Sequence, residues 1–349
     1  MRQSRSLLIV LAVVLAAWVA SLLTCAGAAA QTTAGQGVID GQAVVASAGA
    51  TAALNDLPVS LFTFVDGQRQ APPAVAQTDA QGRARFTNLD TSAHYTYTMF
   101  VKFQDAIYGS GVIAFGAGSS TTHAEVKVYE STADARALRV DQHHVVIDLD
   151  ESAHTLDVLD FYEMTNAGDR TIVGAPNQQA SGKRVSFHAP LPPDAVVQTI
   201  ENRTPNSDIF QANGELLDTV PILPGQADLV FEYRVSYQRS TYALSLRSPY
   251  TVTALNVLLA PGISLRSARL VYVDNVQATS RQFQHYSARE LPADATIAIE
   301  LNGLPAPLIP LDMLQWLPLA AVSVALLIAL FMAYRRKPSD AAPRGQTLA

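Results

Sequence analysis

Two long uncharged runs, one near each end of the chain, restrict which residues are left to form a folded core. The first run covers residues 6–30, follows Arg2 and Arg5, and ends in small residues. A short basic start, an apolar stretch and a small-residue end are typical of a cleaved secretory signal. We therefore expect a signal peptide over residues 1–30 and a mature chain that begins near Gln31.

The second run, residues 313–334, contains 22 uncharged residues. At a rise of about 1.5 Å per residue, it is long enough to cross a hydrocarbon core of roughly 30 Å. Arg335, Arg336 and Lys337 follow at once, and basic residues beside a span favour the cytoplasmic side. The sequence thus predicts a transmembrane helix, a cytoplasmic tail over residues 335–349, and a single-pass cell-membrane protein of type I orientation.

A stripe of small residues recurs at every fourth position of this run. Its members are Ala321, Ala325, Ala329 and Ala333. Such stripes let two helices approach closely, so one interpretation is self-association of the span. The other is that alanine is simply common throughout this chain.

The segment between the two runs, residues 31–312, is acidic and lacks cysteine. It contains 18 basic and 29 acidic residues, for a formal net charge of −11. That balance argues against nucleic acid as a partner, because phosphate binding needs clustered lysine and arginine. The one cysteine, Cys25, lies in the expected signal, so we expect neither disulfides nor thiol chemistry in the mature part.

Period-two alternation of apolar and polar residues is the main secondary-structure signal. It is clearest over residues 94–103, where only Phe100 departs from it, and over residues 229–238. Other predicted strands cover residues 59–64, 125–129, 138–147, 156–164, 184–188, 196–201, 252–259, 268–273 and 297–301. Many short strands without helical periodicity predict an all-β ectodomain of tandem antiparallel β-sandwiches. We expect Phe231 and Tyr233 in a core and Glu232 on the opposite, solvated face.

A short polar segment, residues 131–136, suggests a domain boundary. We expect a first sandwich over residues 37–130 and a second β-rich region over residues 137–303, built as one large or two small sandwiches. Residues 191–195 read LPPDA and residues 291–295 read LPADA. This similarity indicates either an internal duplication or a common type of turn before a strand.

The first unit carries a recognisable motif in residues 78–89, which read TDAQGRARFTNL and are followed by a tyrosine-containing strand. This pattern resembles the carboxypeptidase regulatory-like domain, a transthyretin-like sandwich also seen in collagen-adhesin B-type repeats. In the turn, Asp79 is expected to bond the backbone and Gly82 to take positive φ, while Phe86 and Leu89 are expected to anchor the core. The resemblance implies an accessory, spacer or ligand-presenting module. Beyond it, residues 165–171 are loosely similar to a turn of bacterial immunoglobulin-like domains.

Two adjacent histidines, His143 and His144, raise the question of a metal site. A larger His and carboxylate set would add nearby residues of the predicted hairpin: Asp148, Asp150, Glu151 and His154. Neighbouring side chains of a strand point to opposite faces, however, which favours an ordinary strand and a solvated acidic turn. No catalytic or phosphate-binding motif is present. The sequence therefore predicts no catalytic residue, no cofactor and no metal ligand.

The aromatic residues between positions 95 and 108 have two interpretations. They could form a stacking platform for sugars, because aromatic rings offer an apolar face with a polar tip. Their alternation favours core packing instead.

Together these features indicate a non-enzymatic, membrane-anchored binding or scaffolding component of a bacterial cell envelope, with an envelope protein as partner. The alternative is a surface receptor for carbohydrate or another polymer. A third hypothesis is an enzyme whose site is assembled from distant residues.

Overall fold

The computed structural model describes residues 35–278 and 281–305, and it confirms that they form an all-β protein. Helical structure in these ranges amounts to one 3-10 turn at Gln178–Ala180, and no helix there is long and apolar enough to span a bilayer. Several expected features lie outside the described residues: the signal peptide, Cys25, the transmembrane run, its alanine stripe and the tail.

Eight strands lie between residues 37 and 130, the part of the chain that we call the first domain. They are β1 (Gly37–Val45), β2 (Pro58–Val65), β3 (Gln68–Arg69), β4 (Ala74–Gln77), β5 (Arg83–Leu89), β6 (Tyr95–Phe103), β7 (Ala106–Gly109) and β8 (Thr121–Val128). One sheet has the order β5-β1-β8, and the other has the order β3-β2-β6-β7, with β4 also paired to β2. Both sheets contribute to one buried cluster, with Ile39 and Val126 from the first and Leu61 and Tyr97 from the second. The strands alternate because each sheet has one buried and one outer face.

The motif that carries the family resemblance forms the turn that connects β4 in one sheet to β5 in the other. Asp79 Oδ1 accepts hydrogen bonds from the backbone N–H groups of Gln81 (2.9 Å) and Arg83 (2.8 Å). Gly82 has φ +76°, and a Cβ there would lie 2.6 Å from the carbonyl oxygen of Ala43 on β1. Only glycine therefore lets the turn pack this closely. The expected roles of Asp79 and Gly82 are confirmed, as is the burial of Phe86. Leu89 is only partly buried but packs against the same core.

Seventeen further strands form the second region (residues 131–304). They are β9 (Ser131–Thr132), β10 (Leu138–Asp150), β11 (Thr155–Asn166), β12 (Thr171–Ile172), β13 (Ala175–Pro176), β14 (Arg184–Val185), β15 (Phe187–Pro190), β16 (Val196–Glu201), β17 (Ile209–Ala212), β18 (Glu215–Asp218), β19 (Gly225–Ser236), β20 (Thr241–Arg247), β21 (Val252–Leu259), β22 (Ser264–Arg266), β23 (Val271–Ala278), β24 (Arg281–Leu291) and β25 (Thr296–Asn302). A seven-stranded sheet has the order β16-β19-β11-β10-β21-β24-β23. Two three-stranded sheets, β15-β18-β17 and β20-β25-β22, share its core.

One cluster of buried side chains extends through this second region, from Leu138 to Leu304. Phe231 and Tyr233 lie at its centre, whereas Glu232 is exposed on the other face of β19. The prediction made for these three residues is confirmed.

Both large units contain a parallel strand pair, so the prediction of purely antiparallel sheets is wrong. β1 runs antiparallel to β5 but parallel to β8, and β10 runs antiparallel to β11 but parallel to β21. In each case the first long strand of the unit lies between its hairpin partner and a strand from much later in the chain. Period-two alternation reports a buried face, not the direction of the neighbouring strand.

A bulge in β10 changes which residues of that strand face the core. Leu138 and Val140 are buried, the register to β11 shifts between Val140 and Gln142, and the buried positions then continue at His143 and Val145. An extra residue in one strand of a pair has this effect. It places His143 inside the core.

Several strand boundaries differ from the predictions. The strand predicted at residues 268–273 begins only at Val271, and the one predicted at residues 184–188 is divided into β14 and β15. The two LPxDA segments form similar turns, with φ of 62° at Asp194 and 61° at Asp294. The strands that follow them, β16 and β25, lie in different sheets.

The polar segment expected at the domain boundary takes part in a small sheet, because β9 pairs with β12. Nearby, the Ser47 hydroxyl donates to the Asp169 carbonyl oxygen (2.7 Å), and Arg170 forms an ion pair with Glu130 (2.9 Å). The Tyr108 hydroxyl lies 2.7 Å from Thr171 Oγ1. The first domain is thus joined to the second region by direct contacts as well as by the chain.

Candidate functional site

The outer face of the β4-β2-β6-β7 sheet carries aromatic side chains where a solvated sheet usually carries polar ones. Val59 and Leu61 of β2 point into the core, so Phe62 points outward. Phe100 of β6 likewise lies between the buried residues Met99 and Val101 and points outward. The two outward rings pack edge to face, with centroids 5.4 Å apart and an interplanar angle of 88°.

Exposed aliphatic side chains extend this aromatic pair in both directions. Val75 of β4 is 76% exposed and Ile107 of β7 is 63% exposed. Ser60 lies between Val75 and Phe100 in the strand register, and Ile107 lies opposite Lys102, the outward residue after Phe100 on β6. The apolar side chains therefore share one outer face, with polar residues between them. We call the set Phe62, Val75, Phe100 and Ile107 the aromatic face.

Two features hold the aromatic face in place. Phe100 lies opposite Gly109, where a Cβ would approach the Phe100 ring to 3.0 Å, so glycine lets the ring lie flat across β7. The Arg69 guanidinium lies 4.3 Å from the centroid of the Phe62 ring, a cation–π contact that covers one side of that ring. Rigid rings beside exposed aliphatic groups, with a cationic edge, are typical of a surface that a protein partner covers.

Sequence reasoning found only part of this face. The expectation that the aromatic residues between positions 95 and 108 pack inward is confirmed for Tyr97, Phe103 and Tyr108. Phe100 was the visible exception to the alternation, and it is indeed outward. Phe62 was missed, although the signal was present. It lies an odd number of positions from both Val59 and Leu61, so on a strand it must point to the other face.

In the second region, the two adjacent histidines lie on opposite faces of β10. The His143 ring is buried and its Nε2 lies 2.9 Å from Asp160 Oδ1, in the core. His144 lies on the outer face and stacks on Phe161, with centroids 5.8 Å apart. Burial lowers the pKa of His144, so it is neutral at neutral pH. The histidines therefore do not converge on one ligand.

The other members of the considered metal cluster are engaged separately. Asp148 forms a two-point ion pair with Arg281 (2.6 and 2.8 Å), and Asp150 accepts from the backbone of the β10–β11 turn. His154 lies at that turn beside the Tyr237 ring. Across residues 35–278 and 281–305, no three His, Cys, Asp or Glu side chains are arranged to hold a metal ion.

The pair of His143 and Asp160 is surrounded by aromatic rings. His143 stacks on Tyr162, with centroids 4.0 Å apart and planes 17° apart. Burial raises the pKa values of Tyr162 and Tyr233 well above the usual range, and the nearby Asp160 adds to the effect, so both phenols stay neutral. The adjacent cavity, about 10 Å³, has room for one water molecule at most. The geometry assigns this pair a structural role.

Comparisons with known proteins add little to this geometry. No protein-family model and no curated protein matches the chain. Among solved structures, it is similar to an M1 zinc metallopeptidase from Deinococcus radiodurans, with 11% identity and a TM-score of 0.32 over 47% of this chain and 42% of that one. A two-domain M1 zinc metallopeptidase variant bound to L-tryptophan shows 10% identity and a TM-score of 0.30 over 50% of this chain and 44% of that one. The chain thus covers less than half of either structure.

Proposed function

We propose that this protein is a non-enzymatic binding or scaffolding component of a bacterial cell envelope, and that its first domain docks a protein partner through the aromatic face. One observation carries the proposal: Val75 and Ile107 are mostly exposed on either side of an ordered pair of phenylalanines. Isolated exposed aliphatic residues are common, but four apolar side chains gathered on the outer face of one sheet are typical of an interaction surface. The charged Arg69 at its edge would favour an acidic or hydrogen-bonding rim on the partner.

The rest of the proposal rests on the sequence. The basic, apolar and small-residue start supports export, and the apolar run before Arg335 supports a single membrane anchor. The resemblance of residues 78–89 to the carboxypeptidase regulatory-like family supports a ligand-presenting role for the first domain. A tethered module with an interaction face suits a protein that holds another envelope component near the membrane.

Site-directed photo-cross-linking tests the docking face. A photo-reactive amino acid is placed at position 75 or 107 of the full-length chain, and cross-links to envelope proteins are compared with those from position 271. Val271 is a matched control because it is 68% exposed but lies in the second region. We expect one shared cross-linked protein from positions 75 and 107, none from 271, and loss of the product in Phe100→Ser.

The docking proposal is wrong if all three positions give the same products, or if Phe100→Ser leaves the cross-link unchanged. Turnover of a substrate by the purified chain would contradict the non-enzymatic part of the proposal separately.

The membrane orientation gives an independent prediction. A reporter enzyme fused after Ala349 should be active in the cytoplasm, and one fused after Gly303 should be exported, because the basic cluster is expected to stay inside. Alkaline phosphatase and a cytoplasmic reporter, fused in turn to both positions, measure this. The reverse pattern would exclude the type I orientation.

A further inference from the structure

The sheet opposite the aromatic face carries an open groove on its outer side. The groove has a volume of about 520 Å³, within the range of roughly 300–1,000 Å³ that is common for small-ligand sites. Its polar lining consists of Asp40, Gln42, Asp79, Arg83, Arg85 and His123. We call this set the polar groove, and it is separate from the face used in the proposed function.

Strand register explains how these residues meet. Asp40 of β1 lies between Arg85 of β5 and His123 of β8, and Gln42, two residues along, lies beside Arg83. Residues two apart in a strand point to the same face, so these side chains all leave the outer side of the sheet. The floor between them is backbone, because the intervening positions Gly41 and Ala84 face the core.

The turn of the family motif forms one end of the polar groove and holds Asp79 there. Both hydrogen bonds that Asp79 accepts from the turn go to Oδ1, and no described group bonds Oδ2. The close approach of Gly82 to β1 keeps this carboxylate beside the sheet. Asp79 therefore offers a fixed, open acceptor.

The cationic side chains of the polar groove have hydrogen-bond donors that no described group uses. Among the described residues, no hydrogen bond or ion pair holds the Arg83 guanidinium or the His123 ring. The Arg85 Nε atom lies 3.5 Å from Asp40 Oδ1, longer than a good hydrogen bond. The groove thus combines open donors on the guanidinium groups, open acceptors on the carboxylates, and both on Gln42.

We propose that the polar groove binds an uncharged oligosaccharide, through hydrogen bonds to its hydroxyl groups. Each hydroxyl both donates and accepts, so it can use a guanidinium donor and a neighbouring carboxylate acceptor together. Two arginines are balanced by two aspartates, which removes the net positive charge that an anionic ligand would need. The lining contains no aromatic or large aliphatic side chain, which argues against an apolar ligand.

Calorimetric titration of the full-length chain tests this site. The probes are uncharged hexasaccharides (cello-, malto-, laminari-, manno- and chitohexaose) and one acidic probe, hexagalacturonate, each at low and high salt. We expect at least one uncharged probe to bind with an affinity that salt hardly changes. Arg83→Gln and Asp40→Asn should each weaken it about tenfold or more, since each removes a charge-assisted hydrogen bond.

Two variants serve as controls. Arg266→Gln removes an arginine from β22 that is also exposed, and Phe100→Ser disrupts the aromatic face; neither should change saccharide affinity. Thermal unfolding midpoints confirm that the groove variants remain folded.

The inference is overturned if no uncharged probe binds, or if Arg83→Gln and Asp40→Asn bind as the unmodified chain does. Binding of hexagalacturonate alone, with steep loss at high salt, would instead identify an anion site. All of these outcomes leave the protein-docking proposal untouched.

Discussion

The first domain and the second region use the same residue types in opposite ways. In the first domain, a phenylalanine pair and an arginine–aspartate–histidine row lie on outer faces, where several of their groups lack partners within the described chain. In the second region, His143, Asp160 and Tyr162 are sealed inside the core and contact one another. Residue type alone therefore does not identify a site. Burial and pairing decide whether such a group binds a ligand or holds the fold.

The energetic reason is the cost of removing polar groups from water. A buried carboxylate or imidazole must find a partner inside the protein, so the hydrogen bond between His143 and Asp160 serves to stabilise the fold. An exposed guanidinium such as that of Arg83 stays solvated at little cost and remains free to bond a ligand. Substitutions of these polar and charged groups should accordingly affect stability in the second region and binding in the first domain.

The largest expected effect is from Phe231→Ala in the second region. Phe231 is fully buried and packs against Tyr162 and Tyr233, each with centroids 6.1 Å away. Its truncation leaves a cavity among rings that cannot close it, so we expect a loss of about 3–5 kcal/mol. Hydrogen exchange with mass detection in urea measures this on the full-length chain, because it resolves peptides of each core. Peptides of β6 should be unaffected; a global loss would mean that the two cores unfold as one.

Removing one partner of the buried polar pair comes next. Asp160→Ala leaves His143 without its partner in the core, and we expect a loss of about 3 kcal/mol in the second region. Asp157→Ala is the matched control on the same strand, since its ion pair with Arg234 is half-exposed and should contribute less than about 1 kcal/mol. The same exchange experiment measures both. Equal losses would show that the buried pair contributes no more to stability than the half-exposed ion pair does.

An intermediate effect is expected at the aromatic face. Phe100→Ser removes a half-buried ring and its edge-to-face contact with Phe62, which should cost the first domain about 1 kcal/mol. Phe103→Ser, three residues along and buried, should cost about 3 kcal/mol or more. Urea unfolding resolved by exchange in β6 peptides measures both. If Phe100→Ser proved as damaging as Phe103→Ser, the ring would belong to the core and not to a docking face.

The alternation of single strands predicts which faces are buried, but not how strands combine. Tyr97, Phe231 and Tyr233 were placed correctly, because each lies on a strand whose pattern is complete within about ten residues. The pairing of β1 with β8 joins positions about 80 residues apart, and nothing local encodes it. Long-range pairing is decided by the packing of whole sheets.

The candidate sites depend on the same long-range information. The polar groove needs three strands side by side, so Arg85 and His123 could not be assigned to one site from the sequence. The partner of His143 was missed for a different reason, since a one-residue bulge in β10 turns that side chain inward. Phe62 was also missed, although the alternation of β2 could have revealed it as the alternation of β6 revealed Phe100.

The smallest expected effect concerns Glu232, which separates the two faces of β19. Its pKa is raised, first by desolvation and then by the negative charges of Glu201 and Asp157. Well below its unfolded pKa, a carboxyl group whose folded pKa is raised does not change the free energy of unfolding. As pH rises from the unfolded pKa through the folded pKa, stability is lost. Ionised Glu232 is therefore slightly unfavourable at neutral pH.

Glu232→Gln should consequently stabilise the second region at about pH 7, by less than about 0.5 kcal/mol, because an exposed carboxylate is well screened. At about pH 4 the unmodified carboxyl is largely protonated, and the difference should vanish. Urea unfolding at the two pH values, followed through β19 peptides, measures the change. A destabilisation of more than about 1 kcal/mol at pH 7 would mean that Glu232 makes a needed contact on this face. The contrast with Phe231, one residue away, would then no longer separate core from solvent.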